Sequence, residues 1–204
     1  AKALSLITQH QDYDLLQCLT EATQAMTQGE LLQLSQAHQP ETSEQVYLDI
    51  IHQKTAHLFG ACFAMGALTA KVEEAQVTTL RQAGLHLGMA FQIRDDLNDY
   101  RAAEEGKPTG MDIREGKLTL PLIYALQQAD TPTRQSIQTM IASSKPLSPE
   151  ALQTIIRFVQ RSPGMDDAQR QVRQYCQAAL QGLHVLQKGP YKAALQALIQ
   201  WLAR

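Results

Sequence analysis

The chain has 204 residues, 44% of them apolar and only 5% aromatic, with a formal net charge of −2. That length supports one sizeable core or at most two small ones, and the weight of Ala, Leu and Gln favours helices. A near-neutral balance argues against a nucleic-acid binder, which carries a basic stripe, and the most apolar window (LFGACFAMGALTA, residues 58–70) falls short of the roughly 18 residues of a membrane span.

In chain order, every element that can be placed is a helix. AKALSLITQ opens without a methionine and with a helix already under way, so the chain is expected to be a truncated or processed part of a longer protein. Residues 12–37 repeat apolar positions near helical spacing, at Leu15, Leu16, Leu19, Ala22, Met26, Leu31 and Leu34. Pro40 interrupts them, and TSEQ (residues 42–45) reads as a capping box for the next helix. That helix repeats Tyr47, Ile50 and Ile51, then Lys54 and Thr55, then Leu58, so a lysine stands where an apolar residue is due. A long helix is predicted over residues 77–100, followed by a polar loop over 101–119 marked by Gly106, Pro108, Gly110 and Gly116. Residues 101–116 are expected to be mobile until a ligand arrives, because their glycines and cations lack a permanent partner. Later helices start at DTPT (130–133) and SPEAL (148–152), each with a capping residue before Pro, and RSPG and KGP mark the last turns. Cys18, Cys62 and Cys176 are far apart, as buried free thiols in a reducing compartment would be. With no internal repeat, strand-like alternation or long linker, residues 1–204 form one all-α domain.

The segment FQIRDDLNDY (residues 91–100) places three carboxylates on what is otherwise a core helix. Gln92, Asp95, Asp96 and Asp99 follow i, i+3, i+4, i+7 and share one face, below Leu85, Gly88 and Met89. They sit at the helix C-terminal end, where the dipole is also negative, so a divalent cation would relieve both repulsions. All-oxygen ligands point to a hard ion, Mg²⁺ or Ca²⁺. The glycine-centred loop and closing Glu of an EF-hand are missing, and Mg²⁺ suits better because it commonly takes one or two carboxylates with waters and substrate phosphates. Alone, the pattern fits a solvated acidic helix end equally well. Lys54 on an apolar stripe, and Lys107, Arg114 and Lys117 just downstream, favour a diphosphate bridging metal and ammonium groups.

Four ordered blocks carry a resemblance: MTQGELLQL (26–34), YLDIIHQKTAHLF (47–59), GMAFQIRDDLNDY (88–100) and GKPTGMDIREGKLTLPLIYAL (106–126). Together they resemble the C-terminal two thirds of the trans-isoprenyl diphosphate synthases, or polyprenyl synthetases. The resemblance implies an antiparallel helical bundle of the isoprenoid synthase type, with its N-terminal helices missing. It implies Mg²⁺-assisted ionisation of an allylic diphosphate, condensation with isopentenyl diphosphate and proton loss, giving a trans-polyprenyl diphosphate. Asp95, Asp96 and Asp99 correspond to the second of the family's two aspartate-rich motifs, with Asp95 the direct metal ligand. Lys54, Lys107 and Lys117 would contact the allylic diphosphate, and Lys54, Thr55 and Gln92 would lie near the developing cation. A cytoplasmic homodimer is implied, with peripheral membrane contact for product release and no nucleic acid.

The first aspartate-rich motif is absent from the 204 residues, as are the upstream basic residues for isopentenyl diphosphate, and Asn98 and Met111 depart from common motif residues. The chain alone is therefore expected to be inactive. A non-catalytic or regulatory subunit of a heteromeric synthase is the alternative, and a terpene cyclase a third reading that the GKPxG and GKxTLP blocks disfavour. Product length and the preferred allylic substrate are not legible.

Overall fold

The computed structural model describes residues 2–101, 109–142 and 147–204. Among them the chain forms eleven α-helices: α1 (Lys2–Gln9), α2 (Tyr13–Gln36), α3 (Glu44–Ile51), α4 (His57–Thr69), α5 (Glu74–Asn98), α6 (Met111–Arg114), α7 (Leu120–Gln128), α8 (Thr131–Ala142), α9 (Pro149–Arg161), α10 (Gly164–Gly182) and α11 (Pro190–Leu202). A single π-helical turn, His52–Ala56, joins α3 to α4 without a break. No strand occurs among the described residues.

Local chemistry starts and stops these helices. Asp12, Ser43 and Ser148 each accept a hydrogen bond from the backbone N–H three residues on, and Pro149 takes the first helical position of α9. Two expected starts move by one residue. Ser43 caps α3 in place of Thr42, whose hydroxyl donates to the Gln39 carbonyl, and the Gln45 amide turns to Asp49. Asp130 caps α8 by accepting from Thr133 N–H, which puts Pro132 second in the helix. The long helix predicted over 77–100 runs from Glu74 to Asn98. The loop expected over 101–119 contains the short helix α6. After α4 the chain reverses through Lys71 in the left-handed region (φ 54°), with Lys71 and Val72 N–H bonded back to Leu68 and Ala67 carbonyls.

Helix α5 is the axis of the bundle. On one side α4 runs antiparallel to it: Gly84 meets Phe59, and one turn later Gly88 meets Ala56. On the other side α10 also runs antiparallel, with Gly182 near Ala83, Tyr175 near His86, and Gln169 bonded by Arg101. Leu87, Ala90, Ile93 and Leu97 of α5 are almost wholly buried between them, and each large aliphatic there contributes about 1.5–3 kcal/mol. Cys18 and Cys176 lie in this core, but Cys62 is exposed. Residues 60, 61, 64 and 67 form the buried stripe of α4, and position 62 falls outside it.

Two glycines hold the π turn. A Cβ on Gly88 would lie 2.6 Å from the Cα of Ala56, and one on Gly29 of α2 would lie 2.5 Å from the backbone nitrogen of Lys54. Both neighbours are backbone, which cannot swing aside. Gly88→Ala is therefore expected to cost about 1–3 kcal/mol by overpacking. In a chain of this size that lowers the thermal midpoint by about 2–4 °C for each kcal/mol, measurable by calorimetry or circular dichroism.

Candidate active site

A cavity of about 150 Å³ opens where α2, α3, the π turn, α5 and the α6–α7 connection meet. At about 30 Å³ per water it holds roughly five waters, the scale of a polar head group rather than a long chain. Lys54, Thr55, Gln92, Asp95, Asp96 and Lys117 all line it. The structure brings these six predicted residues together. Lys107 lies outside the described residues, as does the stretch 102–108 of the segment expected to be mobile.

The π turn explains the lysine that breaks the apolar stripe. Its wider turn carries Lys54 and Thr55 out of the α3 register and toward the cavity, a use of π turns common at functional sites. Lys54 Nζ is not solvated alone. It donates to Gln33 Oε1 at 2.6 Å and forms an ion pair with Glu30, both on α2. Lys117 Nζ is likewise paired, 2.6 Å from Glu115 and 3.3 Å from Asp112. Burial pulls the Lys117 ammonium down, but Glu115 and Asp112 together outweigh it and hold it above its ordinary value.

The three aspartates of the acidic helix face separate into three environments. Asp95 is exposed at the cavity rim and makes no hydrogen bond or ion pair among the described residues. Asp96 is 5% exposed. One of its oxygens accepts from the Tyr47 hydroxyl at 2.6 Å and the other from the Gln92 amide at 2.9 Å. Desolvation pushes the Asp96 carboxyl up to about 7, against the opposing pull of those two hydrogen bonds. Asp99, the C-cap residue of α5, does not line the cavity. Its two oxygens accept from the backbone N–H groups of Met111 and Asp112, so it caps α6. Gly110, at φ 75°, turns the chain into that position, and Gly116 carbonyl accepts from His38 N–H at 2.8 Å. The downstream part of the segment expected to be mobile is thus tied to α5 and to the chain after α2.

Two cavity residues escape a reading of the motif. Tyr47 falls in the apolar repeat of α3 and reads as core, although its hydroxyl is what satisfies Asp96. Asp112 falls in a stretch that reads as loop, yet it faces the acidic helix end and its carboxyl is raised by burial, against the opposing pull of Lys117. The only sequence signal for either was membership of the quoted blocks. Gln92 completes the wall: its oxygen accepts from the Thr55 hydroxyl at 2.8 Å. Among the described residues no three His, Cys, Asp or Glu side chains converge as a ready-made metal cage. No helix among them is long and apolar enough to cross a membrane.

An all-α bundle with paired lysines and a split acidic helix end around one polar cavity defines an isoprenoid-synthase-type fold. The family profile described as "Polyprenyl synthetase" matches residues 1–159, and the chain belongs to that family. It is 37% identical over 197 residues to the all-trans-nonaprenyl-diphosphate synthase (geranyl-diphosphate specific) of Rhodobacter capsulatus, covering 96% of this chain and 59% of that protein. It is 33% identical to the octaprenyl diphosphate synthase of Haemophilus influenzae, covering 97% of this chain and 60% of the other. The crystal structure of a polyprenyl synthase from Caulobacter crescentus, complexed with calcium and isoprenyl diphosphate, superposes with a TM-score of 0.92 at 32% identity, over 100% of this chain and 62% of that one. The chain thus spans about three fifths of the curated relatives it matches.

The raised Asp96 carboxyl has a measurable consequence. Its folded value, about 7, lies above the ordinary 3.8, so the protonated form favours folding. That contribution is full below about pH 4 and is lost as the pH rises to 7, at about 1.4 kcal/mol for each pH unit between the two values. Denaturant unfolding between pH 4 and 7 is expected to show the native chain weakening with rising pH, and Asp96→Asn flattening the slope. An unchanged slope in Asp96→Asn would place the titration elsewhere.

Proposed function

We propose that this chain supplies the diphosphate-ionising side of a trans-prenyltransferase, which elongates an allylic diphosphate with isopentenyl diphosphate. One observation carries the reading: two ammonium groups, Lys54 and Lys117, share a head-group-sized cavity with the carboxylate of Asp95, which has no partner among the described residues. The Caulobacter neighbour, complexed with calcium and isoprenyl diphosphate, supports a divalent ion and a diphosphate as the occupants.

The donor set fits Mg²⁺. Asp95 offers a free carboxylate, while both oxygens of Asp96 and of Asp99 already accept hydrogen bonds. Mg²⁺ commonly takes one or two carboxylates and fills its shell with water and phosphate oxygens, so Asp95 would hold it directly and Asp96 through water, while Asp99, tied to the α6 amides outside the cavity, would hold the end of the motif in place. Bound there, the ion neutralises charge on the departing diphosphate.

The chain's own residues do the remainder. Lys54 exchanges its Glu30 and Gln33 partners for phosphate oxygens, and Lys117 exchanges Glu115. Because both cations are held in place before substrate arrives, little reorganisation is needed when charge separates. Lys107 is assigned to the same diphosphate on the motif alone. Thr55 and Gln92 border the cavity on the side of the π turn and present oxygen dipoles to the allylic cation, and Ile50, Ile51 and Leu118 supply the apolar part of its wall. The same reading carries a homodimer in the cytoplasm, with peripheral membrane contact for product release.

Steady-state turnover of isopentenyl and farnesyl diphosphates with Mg²⁺, on the protein as its gene encodes it, tests the assignment. Asp95→Ala is expected to lower kcat by about 10²–10³, the range for removing one preorganised electrostatic group. The 204-residue polypeptide by itself, with one aspartate-rich motif among its residues, is expected to turn over negligibly. Full activity in Asp95→Ala would remove the carboxylate from the chemistry and sink the reading.

A further inference from the structure

Tyr47 is 3% exposed, on α3, and its hydroxyl does not reach the cavity's cations. It sits instead at the far end of a continuous chain of hydrogen bonds. The Tyr47 hydroxyl donates to one Asp96 oxygen at 2.6 Å, and the Gln92 amide nitrogen donates to the other at 2.9 Å. The Gln92 amide oxygen then accepts from the Thr55 hydroxyl at 2.8 Å. With Asp96 ionised, the order of donors along this chain has only one consistent sense. A carboxylate accepts and cannot donate, so Asp96 forces Gln92 to turn its NH₂ inward. The Gln92 oxygen must then face Thr55, and the Thr55 proton is committed to it. What Thr55 presents to the cavity is its lone pairs.

We infer that Tyr47 is a positioning residue: through Asp96 and Gln92 it fixes the Thr55 hydroxyl and the Gln92 amide with their oxygens toward the place where positive charge develops. The inference rests on the prenyltransferase reading for the identity of that charge. Tyr47 holds the second Asp96 oxygen, on a side chain that is 5% exposed. Without it, one oxygen of the carboxylate is left with an unmet acceptor, and the group is free to turn away from Gln92. Gln92 and Thr55 then lose their single orientation. The inverted amide would point its NH₂, the positive end of its dipole, at a forming cation, which opposes ionisation while leaving diphosphate contacts at Lys54 and Lys117 intact.

The consequence is a split between binding and turnover, which a merely structural tyrosine does not produce. Tyr47→Phe removes one oxygen and keeps the ring. With Mg²⁺, farnesyl diphosphate and isopentenyl diphosphate, it is expected to lower kcat about tenfold or more while KM for farnesyl diphosphate stays within about twofold. Thr55→Val lowers kcat as well. The two losses multiply if the residues act independently. Through one hydrogen-bonded chain, the double variant stays within about threefold of the worse single variant. The thermal midpoint of each variant shows that it is folded. Should Tyr47→Phe not fold, Asp96→Asn, whose amide offers one acceptor for two donors, replaces it in the same cycle. A rise in KM with kcat retained, or losses that multiply, overturns the inference. No product from the unaltered protein as its gene encodes it overturns the prenyltransferase reading, and this inference falls with it.

Discussion

Helix backbones approach one another closely at a single turn, and the cavity follows from that constraint. Gly29 of α2 touches the backbone of Lys54, and Gly88 of α5 touches the backbone of Ala56, so the π turn is gripped from both sides. One helical turn beyond each glycine stands a glutamine that meets the gripped residues: Gln33 reaches Lys54, and Gln92 reaches Thr55. A methyl group at either glycine would push these pairs apart. The polar contacts of the site are thus a by-product of apolar packing at its edge, and precision there comes from backbone that cannot rotate away.

Electrostatics then divides labour among groups of one chemical type. Three aspartates within five residues at the end of α5 differ because of what surrounds them, not because of their spacing. Asp95 is left to solvent, Asp96 is desolvated and held by two donors, and Asp99 is spent on the amides of α6. The cations are treated in the opposite way. Lys54 and Lys117 each carry acidic partners at the cavity, which hold them in place when no substrate is present. An arriving diphosphate exchanges one anionic partner for another, a smaller change than desolvating a free ammonium.

The helical class was legible because periodicity and caps are local. Ser148 before Pro149 and the glycine–proline breaks at 163–164 and 189–190 need only a few residues to act, and the structure uses them as starts. The acidic stripe was legible for the same reason: positions 92, 95, 96 and 99 lie on one helix face in any α-helix. Its fate was not. The face ends with the helix at Asn98, so Asp99 points past the cavity to a segment twelve residues downstream. Tyr47 was hidden by its own pattern, since a tyrosine on an apolar stripe reads as packing until its hydroxyl finds a partner 49 residues away.

By itself the sequence determined an all-α chain of the polyprenyl synthetase family, the helix faces, and which residue types could serve a metal and a diphosphate. These depend on near neighbours and on ordered motifs, both of which a linear string preserves. Only the tertiary structure decided which carboxylate is free, which is buried and which is a cap. Only it showed the π turn that brings Lys54 and Thr55 to the cavity, the donors that satisfy Asp96 and the acceptors that satisfy Lys54. Those outcomes depend on desolvation and on contacts between elements 20 to 50 residues apart, as Lys54 with Gln33 and Tyr47 with Asp96 show. No local rule carries that information, because a charge's cost is set by everything folded around it.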